Sequence, residues 1–125
     1  MALKTADLSS RNPHALLALL PTPERAALCL TNLAEEGFEP GAISVIAYTP
    51  AQARDLAATT GPLNALPLSD LAARLRSLGL PPTEAARYQA GVERGEILLI
   101  LDAGGAEDAA RETLEDHDAH DIRAL

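Results

Sequence analysis

Apolar residues along this chain follow two rhythms. Ile and Val cluster in short runs: Ala42-Ile-Ser-Val-Ile-Ala-Tyr48, Glu96-Ile-Leu-Leu-Ile-Leu-Asp102 and the stretch around Ile122. β-Branched side chains suit the pleated strand, so strands are predicted over 42–48, 96–102 and 120–125. A fourth is predicted over 14–20, HALLALL, because seven residues between Pro13 and Pro21 are short for a helix. Elsewhere Ala and Leu recur at helical spacing, each stretch with its own start and stop. Thr22 is a natural cap with Pro23 and Glu24 behind it; Ala26, Cys29, Leu30 and Leu33 form a stripe, and Gly37 closes the helix. Thr49–Pro50 starts a second helix and Gly61–Pro62 stops it. Ser69 caps a third with Leu71, Leu75 and Leu78 on one face, ending at Gly79. Pro81–Pro82 open a fourth with Ala85, Tyr88 and Val92 inward, ending at Gly95. Gly104 or Gly105 begins a fifth carrying Ala106, Ala110 and Leu114.

This order predicts an α+β fold: a ferredoxin-like sandwich of two βαβ units, with a helical insertion at 50–80 between the second and third strands. A parallel doubly wound sheet fits less well, since no glycine follows the first two strands. Residues 1–12 read as a flexible tail and 13–125 as one domain. Strand 96–102 is apolar on both faces, with Ile97, Leu99 and Leu101 on one and Leu98 and Ile100 on the other. Such a strand must be covered twice, whereas the helices of a two-layer sandwich cover one side. The second face therefore calls for the insert folded back over it or for a homodimer.

Composition removes several functions. The chain has 125 residues and a net charge of −8, with 18 acidic against 10 basic residues and three aromatic ones. Nucleic-acid binding needs a basic surface and, for single strands, stacking platforms, so it is not expected. Cys29 is the only cysteine, which excludes an internal disulfide and a cysteine-based zinc site. No apolar run approaches a membrane span and Met1–Pro13 does not read as a signal peptide, so the expected location is cytoplasmic, with no membrane partner. Charge is uneven: Asp102 to Asp121 holds eight acids and one base, Arg111.

Three groups could carry chemistry. His117 and His120 with Asp116, Asp118 and Asp121 (EDHDAHD) could hold a divalent metal, the histidines sharing one helical face at i, i+3. Arg74, Arg76, Arg87 and Arg94 could bind an anion or the acidic face of a neighbouring molecule, and Tyr88 with Arg87 and Arg94 forms a candidate ligand site. The alternatives are a solvated acidic turn, surface arginines and a core tyrosine. Cys29 lies on an apolar stripe and reads as a buried thiol. An anion site at Gly104–Gly105 is opposed by Asp102 and Glu107. No nucleophile with a base, no P-loop and no dinucleotide fingerprint is present, so no catalytic residue and no cofactor is expected.

The stretch Gly79-Leu-Pro-Pro-Thr-Glu-Ala-Ala-Arg-Tyr88-Gln-Ala-Gly-Val92-Glu-Arg-Gly95-Glu-Ile-Leu-Leu-Ile resembles the YflT-type general stress proteins, the heat-induced stress protein family. So do the ending Ala119-His-Asp121-Ile122, the Ala-rich first helix, Gly37-Phe38 and Ile43-Ser-Val-Ile. The resemblance spans roughly residues 14–125 and implies a stress-associated bacterial protein without established catalytic residues. Two departures stand out: Gln52 to Leu78 reads as amphipathic helix where members often carry a glycine-rich apolar stretch, and Asp118 stands where they often have glycine. Aspartate tolerates the left-handed turn better than most residues. The expected function is thus a non-enzymatic general stress-response protein acting by self-association, as a homodimer, or by binding a protein partner. The alternative is a small-molecule or metal-binding sensor with its pocket between the open sheet face and the insert.

Overall fold

The computed structural model describes residues 15–59, 64–66 and 68–124. The expected tail at 1–12, His14 and the Gly61–Pro62 stop lie outside the described residues. In chain order the elements are β1 (Ala15–Leu20), α1 (Pro23–Glu35), β2 (Ile43–Ile46), α2 (Pro50–Thr59), β3 (Asn64–Leu66), α3 (Leu71–Ser77), α4 (Pro82–Glu93), β4 (Ile97–Asp102), α5 (Glu107–Asp116) and β5 (His120–Ala124). All four expected strands are present.

Local chemistry sets the helix limits. Thr22 accepts a 3.1 Å hydrogen bond from the Arg25 amide at the start of α1. At its end, the Gly37 amide bonds the Ala34 carbonyl and the Phe38 amide the Leu33 carbonyl, with Gly37 at φ +99°. This double bond pattern needs a left-handed residue just past the cap. It recurs at the end of α5 with Asp118 at φ +65°, its amide on the Glu115 carbonyl and that of Ala119 on Leu114. Asp118 thus fills the position for which glycine is the usual choice. Ala106, expected on the apolar stripe of α5, lies before the helix and is exposed.

The sheet has strand order β3-β2-β4-β1-β5. β2, β4, β1 and β5 pair antiparallel, and β3 adds to β2 in parallel. The segment 50–80 was expected to be helical throughout; β3 corrects this. Three residues without a β-branched side chain carry no strand rhythm, and their pairing partner lies about twenty residues earlier, at Ser44–Ile46.

Alternation along the strands builds two cores. Leu16, Ala18 and Leu20 of β1 and Ile97, Leu99 and Leu101 of β4 meet α1, α2 and α5, where Cys29, Leu30, Leu56 and Leu114 pack. Leu17, Leu19, Leu98 and Ile100 point the other way and meet Leu71 and Leu75 of α3 and Tyr88 and Val92 of α4. The fold is therefore three layers, helices–sheet–helices, rather than the two-layer sandwich expected. β4 is covered twice, as its pattern requires. The second cover comes from the chain's own α3 and α4, so the apolar face that called for a second copy is already closed. Among the described residues no helix is long and apolar enough to cross a membrane.

Candidate functional site

The residues singled out in the sequence meet at the edge formed by α4 and β5, and there they pair with one another. β5 carries a bulge: between Leu17 and Leu19 of β1 the pairing skips from Arg123 to His120, and Asp121 adopts φ +54°. A bulge turns a peptide group out of the ladder, and Tyr88 donates its hydroxyl to the Asp121 carbonyl at 2.6 Å. Tyr88 is buried. Burial, and after it the Asp121 charge, raise its pKa above the ordinary tyrosine value. The Asp121 carboxylate lies 3.1 Å from His120 Nδ1 and 3.7 Å from Arg87. Glu96 accepts from His120 Nε2 at 3.1 Å and from Arg94 at 3.2 Å. Arg123 is paired with Glu84. The candidate ligand trio of Tyr88, Arg87 and Arg94 is thus gathered in one place, but each member is engaged by a protein group. Chemically this is a pinned strand edge.

The candidate metal set is not assembled, which corrects that expectation. His117 caps α5 and turns towards α1, where Asn32 Nδ2 lies 2.8 Å from its Nε2. An amide donor there leaves the ring proton on Nδ1, which is buried with no hydrogen bond among the described residues. His120 faces Glu96 and Asp121 instead, and Asp116 is exposed. The turn at Asp118–Ala119 separates the two imidazoles and ends the shared helical face. Among the described residues, no three His, Cys, Asp or Glu side chains converge as metal ligands. Cys29 is fully buried, and burial, with Glu36 second, pushes its thiol up to about 12, the opposite of an activated thiolate.

A cavity of about 190 Å³ opens elsewhere, between the sheet and α3, at the end where β4 finishes and β1 and β2 begin. Its floor is Ala15, Ser44 and Ile100, each 4% exposed. Arg74, Leu78 and Asp102 form the rim. Ser44 sits in a strand otherwise made of Ile and Val, opposite Ile100 of β4. Among the described residues its hydroxyl makes no hydrogen bond, and the Arg74 guanidinium forms no ion pair, even with Asp102 on the same rim. Asp102 uses Oδ1 to accept the Gly104 amide at 3.1 Å. That bond leaves its second oxygen free to accept, and it occupies the loop amide that an anion would have needed.

Arg74 was among the arginines noted as an anion site; Ser44 and Asp102 were not singled out for this role. A serine inside an apolar strand was the available signal for Ser44. Nothing local connects it to residues 74 and 102. No family model matches the chain, and no curated protein or solved structure matches it.

Proposed function

We propose that this chain is a non-enzymatic small-molecule-binding domain of sensor or regulatory type, its ligand seated between the sheet and α3. One observation carries the reading: Ser44, a serine in a strand otherwise made of Ile and Val, lines the cavity with a hydroxyl that makes no hydrogen bond among the described residues. Val or Ile would suit this strand position as they do its neighbours. A ligand that bonds the hydroxyl accounts for its presence. The non-enzymatic part rests on the sequence reading, which finds no nucleophile-with-base motif.

Self-association was argued from an apolar face that α3 and α4 now cover. A bacterial stress role rests on the motif likeness described above. The units β1–α1–β2 and β4–α5–β5, with their helices on one face, support reading the framework as ferredoxin-like. In that reading the expanded β2–β4 link adds β3 at the edge and roofs the other face.

The test is a titration of isotope-labelled protein with a panel of organic acids, amino acids, sugars and nucleosides at millimolar concentration, followed by amide shifts. At least one compound is expected to move the Ser44, Ile100 and Asp102 signals together and to raise the melting temperature. A panel in which nothing moves those signals overturns the reading.

A further inference from the structure

The charges on the cavity rim narrow the chemistry of its ligand. We propose that the site takes a small aliphatic α-amino acid, held as a zwitterion with its carboxylate on Arg74 and its ammonium on Asp102. This rests on the binding reading above and goes one step beyond it.

Charge comes first. The rim holds one cation and one anion that do not pair with each other, so a ligand carrying both signs can satisfy both. An anion alone would meet the Asp102 carboxylate, and a cation alone would meet Arg74. A guanidinium accommodates a carboxylate through two parallel N–H donors. Asp102 has one oxygen committed to the Gly104 amide and the other available to an ammonium. Leu78, Ile100 and Ala15 then face the remainder of the molecule, which makes an aliphatic side chain the fitting one. Ser44 on the floor can donate to a carboxylate oxygen, which resolves its lack of a partner.

Size agrees. A buried apolar cavity of roughly 150 Å³ holds benzene. The 190 Å³ here suits a molecule slightly larger than benzene, such as valine with about eight non-hydrogen atoms.

The experiment titrates the full chain with L-valine, isobutylamine and isovalerate, the last two being valine without its carboxylate and without its ammonium. Valine is expected to bind and to shift the Ser44 amide, with both analogues weaker by about 10–100-fold, as expected for losing a charge-assisted contact. Arg74→Gln and Asp102→Asn are each expected to weaken valine by a similar factor. Both variants suit the fold, since glutamine is a good helix former on the exposed face of α3 and asparagine keeps the acceptor for Gly104. Isovalerate binding as well as valine, with Asp102→Asn neutral, overturns the zwitterion and leaves a site for small anions. Failure of all three probes while another compound of the panel moves Ser44 overturns the amino-acid class and spares the binding reading. Silence across the whole panel overturns both.

Discussion

Two polar regions of this molecule use similar side chains to opposite ends. At the α4–β5 edge, His120 and the arginines at 87, 94 and 123 face Glu84, Glu96 and Asp121, and the Tyr88 hydroxyl is bonded to a carbonyl. At the end of the sheet, Ser44, Arg74 and Asp102 surround a cavity without pairing with one another. In the first region the charged groups are paired within the protein, with Arg123 Nε left over, whereas in the second Ser44 and Arg74 have no partner among the described residues. Density of polar residues in the sequence therefore pointed to the paired edge and not to the cavity. The EDHDAHD stretch is crowded along the chain yet its histidines face different elements, whereas residues 44, 74 and 102 are far apart in sequence and meet in space.

Removing the contacts of the paired region should cost stability, and that is the largest expected effect. Tyr88→Ala should destabilise by about 3–5 kcal/mol, since a buried aromatic leaves a cavity. Tyr88→Phe should cost about 1–2 kcal/mol by orphaning the Asp121 carbonyl. Urea unfolding measures both. Ligand binding at the cavity should survive Tyr88→Phe, and its loss would merge the two regions into one site.

High pH separates sealed groups from open ones. Cys29 is raised from 9.0 to about 12 and Tyr88 is raised above 10.0. Between those limits the unfolded chain loses protons that the folded chain keeps, so stability falls as pH rises. Each such group contributes a slope of up to about 1.4 kcal/mol per pH unit. The decline should begin near pH 9 from Cys29 and steepen above 10 from Tyr88. Cys29→Ala should delay its onset to about pH 10, followed by unfolding at stepped pH; an unchanged onset would mean that the thiol titrates freely in the folded state.

Ser44→Val should move stability the other way, a gain of up to about 1 kcal/mol, because a β-branched apolar side chain suits a largely buried strand position better than serine. The same change should abolish ligand binding. A loss of stability instead would show that Ser44 serves the fold and erase the contrast between the regions.

The smallest effects sharpen the contrast most cleanly. Arg87→Ala and Arg74→Ala should each change stability by less than about 0.5 kcal/mol, since Arg87 makes an exposed pair at 3.7 Å and Arg74 makes none among the described residues. Only Arg74→Ala should weaken the ligand. Equal losses of affinity would place the two arginines in one network.

Much of the fold was legible because helix ends are local events. Thr22, the prolines at 23, 50 and 82 and the glycines at 37, 79 and 95 act within a few residues, through a side-chain cap, a preset φ or a left-handed turn. Asp118 belongs with them: its tolerance of positive φ was expected from its type and is observed. The four longer strands followed from β-branching and, for β1, from proline limits. β3 was not legible, because three residues gain strand character only from the partner beside them.

The sequence by itself determined which segments coil, which of the longer ones extend and that β4 must be buried twice. These follow from backbone preferences and from apolar surface that must leave water. Only the tertiary structure decided what supplies the second cover and where a cavity remains. Both depend on how α3 and α4 return across the sheet, a matter of non-local packing and chain connectivity. The same packing left Ser44, Arg74 and Asp102 facing one space, and no spacing along the chain records that they meet.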